Sequence, residues 1–414
     1  MIRYRASWVV PISGSPIRDG WITVDRNRVV AVSRRPPSRL QRFGATGLVD
    51  DATEVDLGDV AVMPGLVNAH THLELSYLRD EVPPAATFVA WIRSVMAARR
   101  RRPDPKAPEI LDAVDRGIAE AVACGTAIVG DISNTLVTFE PLTKSELAAV
   151  VFYELIRFKT DDPQGVVEKA RADLDALVPT QRVRASLAAH APYSVAPLVL
   201  RAIRKDVERD PFAPCSIHLS ESVEEMEFIR DGGGPWRALL EQLGSWDPSW
   251  VPPGGTPVEF LDAAGFLDAR VLAVHGVQMT PSDLSRLAVL GTTVVTCPRS
   301  NGHTGAGAPP LVDFYASGVP VAVGTDSLAS APDLNVFAEL ATMHALAPSV
   351  PASALIESAT LIGARALGFD GDYGTIEPGK AARLLTVELP SAAIDVEEYL
   401  VNGIGPEQIR WIES

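Results

Sequence analysis

The chain has 414 residues, which is enough for one large catalytic domain and a smaller second domain. Hydrophobic residues make up 47% and charged residues 21% of it, a composition typical of a folded globular protein. There are 52 acidic and 37 basic side chains, giving a formal net charge of −15. This charge argues against a nucleic-acid partner, because binding phosphates requires clustered Lys and Arg.

Cysteine usage and hydropathy bear on the compartment. The three cysteines are widely spaced in or beside apolar runs, which is typical of buried thiols in a reducing environment. No stretch of roughly 18 apolar residues could cross a membrane. We therefore predict a cytoplasmic protein that binds neither nucleic acid nor membrane. A homodimer is compatible with the sequence.

The first sixty residues are predicted to be short strands broken by turns: SWVVPI, GWITVD and RVVAVS. From Val62 onward, apolar strand runs alternate with helical stretches, which is the pattern of βα units around a parallel sheet. The predicted strands are VAVMPGLVNAH, TAIVGDIS, AAVVFYELI, VRASLAAHAP, CSIHLSES, VLAVHG, TTVVTCPRSN and VPVAVGTDS. Eight continuous apolar strands predict an α/β fold, a closed (β/α)₈ TIM barrel.

The segments between these strands complete the expected organisation. Helices are predicted over 109–122, 163–177, 281–290 and 334–346. The one basic cluster, Arg99 to Arg102, is interpreted as the solvated end of a helix that starts near Phe88. A longer gap holds DGGGPW and SWDPSWVPPGGTP, and because it follows the carboxyl end of a strand we expect a loop that shapes the substrate pocket.

After Leu367 the chain returns to strands punctuated by turns, in GDYGTIEPGKAARLLTVEL. We therefore predict that the two termini, 1–60 and 368–414, form one small β-sandwich domain. The barrel is predicted to span 61–367.

Histidines gather at the predicted strand ends. His70 and His72 end the first barrel strand, and side chains two apart on a strand point the same way, so the imidazoles converge. Four further candidates end other apolar strands: His190, His218, His275 and Asp326. Five of the seven histidines thus lie where the catalytic residues of (β/α)₈ enzymes gather, which predicts a metal site rather than core packing.

Imidazole and carboxylate ligands favour Zn²⁺ or Fe²⁺ over Mg²⁺ or Ca²⁺. We predict one divalent ion, with Zn²⁺ preferred to Fe²⁺. The fourth strand ends in Ala189 and His190 rather than a lysine, so a carboxylated lysine that bridges two metals is not expected.

Proton-transfer candidates lie near these histidines. Glu221 follows His218 in HLSE, where its carboxylate could shuttle protons or could favour the start of the next helix near Ser222. His275 is the natural partner to orient an attacking water or to stabilise charge. Asp326, in GTDS, is interpreted as a ligand rather than a helix or turn cap, because an apolar strand precedes it.

The motifs PGLVNAHTHLELS, HAPYSVAP, HLSESVEE, VHGV, CPRSN, GTDS and GTIEPGKAARL resemble the amidohydrolase superfamily over nearly the whole chain. The similarity is to its aminohydrolase branch, which contains deaminases of cytosine, guanine, methylthioadenosine and S-adenosylhomocysteine. It implies a (β/α)₈ barrel with a β-sandwich built from both termini. It also implies that Glu221 and His275 serve catalysis and that His190 faces the substrate. The implied ligands of the single metal are His70, His72, His218 and Asp326.

The predicted reaction is hydrolytic deamination of an aromatic ring, as in an aminopurine-type nucleoside, with release of ammonia. A divalent metal lowers the pKa of bound water from about 15.7 to about 7. In the predicted scheme Asp326 takes the proton of the attacking water and His275 stabilises the developing charge. Glu221 then protonates the ring nitrogen.

The segments HTHLELSYL and FVAWIRSVMAARR are most similar to the branch that deaminates 6-aminodeoxyfutalosine in menaquinone biosynthesis. On that resemblance Glu74, two residues beyond His72, is expected to face the pocket, with a surface-loop carboxylate as the equal alternative. The benzoate of that substrate requires a cation. Arg299 in CPRSN is the candidate for this substrate-binding role, and a structural arginine that braces a loop is the alternative.

Two other functions fit the sequence. The same metal site could hydrolyse a cyclic amide or the carbon–halogen bond of a halogenated heterocycle, as an amidohydrolase or chlorohydrolase. Alternatively, the chain could be a non-catalytic scaffold that retains the barrel. The complete set of candidate ligands and the presence of Glu221 argue against a scaffold, which need not keep ligands.

Overall fold

The computed structural model describes residues 1–35, 53–390 and 395–412. The part of the predicted terminal β domain over 36–52 lies outside the described residues, whereas SWVVPI, GWITVD and RVVAVS lie within them and overlap the first three described strands. The described strands are β1 (Ile2–Val9), β2 (Ile17–Asp25), β3 (Arg28–Ser33), β4 (Thr53–Asp56), β5 (Val60–Pro64), β6 (Leu66–Thr71), β7 (Thr126–Ser133), β8 (Ala148–Leu155), β9 (Val183–Ala189), β10 (Cys215–Leu219), β11 (Val271–His275), β12 (Thr293–Thr296), β13 (Val321–Val323), β14 (Leu384–Glu388) and β15 (Ile409–Trp411).

Fifteen described α-helices connect or follow these strands. They are α1 (Phe88–Arg100), α2 (Pro108–Ala123), α3 (Phe139–Lys144), α4 (Pro163–Asp175), α5 (Pro197–Val207), α6 (Val223–Asp231), α7 (Gly234–Gln242), α8 (Pro257–Ala263), α9 (Pro281–Leu290), α10 (Pro298–Thr304), α11 (Leu311–Ser317), α12 (Val336–Leu346), α13 (Ala352–Glu357), α14 (Gly363–Ala366) and α15 (Val396–Leu400). Shorter helical turns are 3₁₀ at Leu73–Leu78 and Pro406–Gln408 and π at Ser358–Ile362. Several helices start at a proline, which fits the first helical turn because its missing N–H would have no helical partner.

Eight parallel strands form the barrel, as predicted. Strands β6 to β9 pair in order, and so do β10 to β13. Backbone hydrogen bonds join the two groups at both seams: His218 N–H donates to the His190 carbonyl at 2.9 Å, and Asp326 N–H donates to the His70 carbonyl at 3.0 Å. The predicted TIM-barrel fold is confirmed, and its two seams lie at the predicted site residues.

Both termini contribute to a second β unit. The sheet runs β15-β14-β5-β1-β2-β3, and β4 also pairs with β1. The predicted first barrel strand was therefore too long: β5 (Val60–Pro64) pairs with β1 and β14, and the barrel strand β6 begins only at Leu66. The terminal β domain is confirmed, whereas its division from the barrel at 60/61 and 367/368 stays a prediction.

Barrel strands are buried on both faces, which explains their continuous apolar sequences. Every residue of β7 and of β11 is buried. No helix among the described residues is long and apolar enough to cross a membrane.

Candidate active site

The four predicted metal ligands meet at the carboxyl ends of the barrel strands. His70 lies within β6 and His72 just after it, His218 lies within β10, and Asp326 follows β13. One ring nitrogen from each of the three histidines lies within 4.8 Å of the other two. Asp326 Oδ1 lies 3.9 Å from His70 Nε2 and 3.5 Å from His72 Nε2. The barrel therefore brings together one carboxylate and three imidazoles.

His70 is the most completely buried of these groups. Its side chain is 0% exposed, and neither ring nitrogen has a hydrogen-bond partner among the described residues. Burial lowers the pKa of His70 well below its usual value and lowers the pKa of His72 to about 3. Both rings are therefore neutral, which is the form that coordinates a metal. The orphaned nitrogens and the neutral donor set fit a divalent transition metal.

Neighbouring groups orient the ligands. His218 Nδ1 donates to the carbonyl of His190 at 2.9 Å, which leaves His218 Nε2 free to coordinate. Asp326 Oδ2 accepts hydrogen bonds from Ser300 Oγ at 2.5 Å and from Ser330 Oγ at 3.1 Å. Such outer contacts fix the tautomer and the direction of a metal ligand.

Glu221 and His275 face each other beside the ligands. Glu221 Oε1 lies 3.5 Å from His275 Nε2. Because His275 Nδ1 donates to Asn301 Oδ1 at 2.9 Å, His275 Nε2 carries no proton in the neutral ring. Burial raises the pKa of Glu221 well above its usual value and lowers the pKa of His275 to about 4. The raised pKa favours the protonated form of Glu221, and His275 is a neutral imidazole at neutral pH.

A second glutamate holds the backbone that carries Glu221. Glu225 Oε1 accepts from the N–H of Ser220 at 2.9 Å, and Glu225 Oε2 accepts from the N–H of Glu221 at 2.8 Å. Ser220 has a φ of 52°, a left-handed conformation that costs a non-glycine residue about 1–3 kcal/mol unless its surroundings impose it. Our sequence reasoning missed Glu225, although the capping pattern from Ser222 to Glu225 marked it as a helix-start residue.

The structure places His190 on the cavity wall. Its Nδ1 lies 2.5 Å from Ser194 Oγ, and its ring contacts Tyr193 edge to face. Contact of His190 with a substrate stays a prediction. The cavity has a volume of about 90 Å³ and reaches from the ligands to α1. Its lining residues include His72, His190, His218, Glu221, His275 and Asp326.

The expectation that Glu74 faces this cavity is wrong. Strand β6 ends at Thr71 and a 3₁₀ turn starts at Leu73, so strand alternation does not continue to Glu74. The Glu74 carboxylate accepts hydrogen bonds from Ser133 Oγ at 2.7 Å and Thr135 Oγ1 at 2.8 Å. Glu74 instead anchors the loop that follows β7.

Arg299, expected to bind substrate, does not line this cavity. Arg299 is the second residue of α10, and its guanidinium turns away from the cavity toward α12. It donates to Glu339 at 2.7 Å, to Asp333 at 2.8 Å and to the carbonyl of Asn335 at 3.2 Å. It is the structural arginine that the alternative described.

The cavity lining also includes polar side chains that the sequence did not single out as site residues, among them Arg99, Asn134 and Glu154. Arg99 Nη1 donates to Asn134 Oδ1 at 3.0 Å, and Asn134 Nδ2 donates to Glu154 Oε2 at 2.8 Å. Glu154 Oε1 is buried without a hydrogen-bond partner in the described part of the chain, 3.4 Å from His218 Nδ1. Arg99 is therefore not part of a purely solvated helix end.

The Gly/Pro/Trp-rich insertion builds a wall rather than a simple loop. Part of it forms α7, whose Trp236 stacks on Tyr193 with 3.7 Å between ring centroids. Trp250 stacks on Phe228 at 4.7 Å, and Trp246 stacks on Phe158 at 5.8 Å. These contacts place an aromatic wall beside His190. Its role in shaping the substrate pocket stays a prediction.

Comparison with known proteins places these features in a family. The profile of the amidohydrolase family matches residues 61–405. An aminodeoxyfutalosine deaminase of Deinococcus radiodurans is 33% identical over 327 residues, which cover 74% of this chain and 73% of the relative. A 5-methylthioadenosine/S-adenosylhomocysteine deaminase of Nitratidesulfovibrio vulgaris is 28% identical over 387 residues, 90% of this chain and 80% of the relative.

Solved structures share the fold. An adenosine deaminase from Xanthomonas campestris with bound zinc superimposes with a TM-score of 0.81 at 28% identity, covering 99% of this chain and 90% of that one. The aminofutalosine deaminase of Helicobacter pylori in complex with methylthio-coformycin has a TM-score of 0.85, with coverage of 100% and 98%. At 23% identity, the latter likeness concerns the fold alone.

Proposed function

Because the chain belongs to the amidohydrolase family, we propose that its barrel carries a metal-dependent deaminase that hydrolyses the exocyclic C–N bond of an aminopurine-type nucleoside. The observation that carries the proposal is the pairing of Glu221 with His275, 3.5 Å apart beside the predicted ligands. A buried carboxyl group with a raised pKa is suited to hold a proton and deliver it to a ring nitrogen, which deamination of an aromatic amine requires.

The metal is proposed to be a single divalent ion, with zinc preferred to iron. His70, His72, His218 and Asp326 would hold it, since their donor atoms converge. Three imidazoles and one carboxylate suit zinc, and the Xanthomonas campestris relative binds zinc. The described residues at the end of β9 offer no lysine to bridge a second ion.

Each cavity residue takes one part in the proposed reaction. A divalent metal, when bound, would lower the pKa of water, so that a hydroxide nucleophile becomes available near neutral pH. Asp326 accepts the proton of the attacking water, and His275 stabilises the charge that develops at the attacked carbon. Glu221 donates its proton to the ring nitrogen. Asp326 then passes its proton to the amine, which leaves as ammonia, and the hydroxyl at the attacked carbon returns a proton to Glu221 as it becomes the oxo group of the oxopurine.

The proposed substrate is 6-aminodeoxyfutalosine, an intermediate in menaquinone biosynthesis. The Deinococcus radiodurans relative, named for that activity, supports this choice. Deaminases of 5-methylthioadenosine and S-adenosylhomocysteine also resemble the chain, so all three nucleosides belong in the first assay. The three free, buried cysteines support a reducing compartment, and we expect a cytoplasmic enzyme.

Ammonia release from a panel of compounds tests the function. Metal-loaded protein is incubated with adenosine, the three nucleosides named above, a halotriazine and a lactam. We expect ammonia from at least one nucleoside and no turnover of the triazine or lactam. Turnover of the triazine or lactam without ammonia from any nucleoside would establish the alternative hydrolase instead. Full inertness of a protein that holds no transition metal would establish the scaffold.

A further inference from the structure

A second chamber of about 390 Å³ opens beside the metal cavity. The two share lining residues along α1, the end of β8 and the end of β9: Ile92, Val95, Arg99, Ile156, His190 and Tyr193. A ligand whose reacting end lies at the metal ligands can therefore extend into this chamber past His190.

The chamber walls are mostly apolar and include three aromatic side chains. Phe158, Tyr193 and Trp236 line it together with leucines of α7. Tyr193 and Trp236 are stacked nearly parallel, with 15° between ring planes, and both are buried. Flat aromatic walls favour a ring over a flexible polar chain, since stacked rings gain contact area and favourable electrostatics.

Charge in the chamber is opposite to that of the whole protein. The molecule carries 52 acidic and 37 basic residues, yet no Asp or Glu lines the chamber among the described residues. Three cations do: Arg99, Arg157 and Lys159. A positive cluster in an acidic protein attracts and orients an anionic ligand.

The three cations differ in their partners. Arg99 is held by Asn134 at 3.0 Å and by Glu74 at 3.3 Å, so its guanidinium is fixed at the junction of the two cavities. Arg157 and Lys159 are exposed at the chamber rim, and their side chains make no hydrogen bond or ion pair within the described ranges. Lys159 is near enough to Asp247 for their charges to interact. Donors are thus available to a ligand at the rim.

We propose that this chamber binds an aromatic ring carrying a carboxylate, attached to the part of the nucleoside that is remote from the reacting amine. The ring packs against Tyr193 and Trp236, and Arg157 and Lys159 donate to the carboxylate while Arg99 adds a fixed positive charge. This inference rests on the proposed deaminase function, since it places the nucleoside at the metal ligands. It makes the enzyme selective for nucleosides with an acidic aromatic tail over those with a neutral tail.

Binding to metal-loaded Glu221→Gln protein tests the proposal without turnover. Calorimetry compares 6-aminodeoxyfutalosine with the methyl ester of its benzoate, which has the same ring and no charge. We expect the acid to bind about tenfold more tightly or better, the effect of charge-assisted hydrogen bonds. In the added background Arg157→Gln/Lys159→Gln the ratio of the two dissociation constants should fall toward one.

The matched control is Arg201→Gln/Lys205→Gln, which removes the same charge from exposed positions of α5 outside the chamber. It should leave the ratio unchanged. Equal binding of acid and ester by the unaltered chamber would overturn the proposal, as would a ratio that falls equally in both double variants. Preferential binding of the acid together with an ammonia screen without any product would instead overturn the deaminase function while upholding the chamber.

Discussion

The candidate metal ligands are histidines whose burial keeps them neutral well below the ordinary histidine pKa of about 6.5. His70 is fully buried, and the pKa of His72 is lowered to about 3. Protons compete with a metal for an imidazole only below the pKa of that imidazole. The folded protein therefore presents its donors ready for coordination.

This property predicts the pH dependence of metal affinity. We expect the zinc dissociation constant to change less than about tenfold between pH 7 and pH 5, because burial lowers the pKa of His70, His72 and His218 and so weakens the competition of protons with the metal. Competition with a chromophoric chelator, corrected for protonation of the chelator, measures it. A loss of affinity of about tenfold per pH unit for each histidine would show that the ligands titrate as exposed residues do.

Glu225 is predicted to act through Glu221 rather than on the substrate. In Glu225→Gln one carboxylate oxygen becomes an amide donor that faces a backbone N–H, so the segment carrying Glu221 shifts. We expect kcat to fall about tenfold to a hundredfold, with little change in KM and full metal content. Glu227→Gln on the same helix is the control. An unchanged kcat would show that Glu225 only caps α6.

At the residue scale, strand periodicity predicts the direction of side chains within a strand, but not beyond the point where the strand ends. His70 and His72 converge as the two-residue repeat of β6 requires. Glu74 does not, because a 3₁₀ turn begins at Leu73. Glu225, Arg99 and Glu154 show a different difficulty: their positions depend on contacts between segments far apart in sequence, which no local pattern contains.

At the scale of elements, the candidate site residues lie at the strand ends, and some residues there have a strained backbone conformation. His275 follows the pattern of Ser220: its φ is 76°, and Asp326 has a φ of 60°. Left-handed backbone at non-glycine residues persists where surrounding contacts enforce it. Two of these left-handed residues, His275 and Asp326, line the cavity, so packing and hydrogen bonds must hold strained backbone at the site itself.

Arg299 is the brace between α10 and α12, and its loss is predicted to destabilise the protein. Glu339 has a side chain that is 0% exposed and would lose its cation in Arg299→Ala. We expect the free energy of unfolding to fall by about 3 kcal/mol. Chemical denaturation of the metal-loaded protein measures this change.

The double variant Arg299→Met/Glu339→Leu provides the comparison. Removing both charges should restore most of the lost stability, since no unpaired buried charge remains. Substrate affinity should be unchanged in the folded variants. A single variant that keeps its stability but binds 6-aminodeoxyfutalosine weakly would return Arg299 to the substrate-binding role.

At the scale of the whole molecule, the barrel closes where the site lies. Hydrogen bonds to the carbonyls of His190 and His70 join the two four-stranded groups. The geometry of the ligands is therefore coupled to closure of the barrel, as both depend on the same backbone segments. A change that loosens a seam is expected to disturb the metal site as well.

The architecture was accessible from the sequence because each barrel strand is buried on both faces and reads as an apolar run. Apolar runs do not show where one strand ends and the next begins. Residues 60–70 form one continuous apolar stretch that contains two strands of different sheets, β5 and β6. Burial alone cannot show which sheet a strand joins. Strand pairing decides that, through contacts with β1 and β14 near opposite ends of the chain.

Metal reconstitution tests whether the protein is a deaminase that depends on one metal ion and on Glu221. Protein depleted of metal is titrated with zinc, and ammonia release from 6-aminodeoxyfutalosine is followed at each step. We expect activity to rise linearly and to reach its plateau at about one zinc per chain, with Glu221→Gln binding the same single equivalent and releasing no ammonia. Full activity of the depleted protein, or ammonia release by metal-loaded Glu221→Gln at the normal rate, would contradict it.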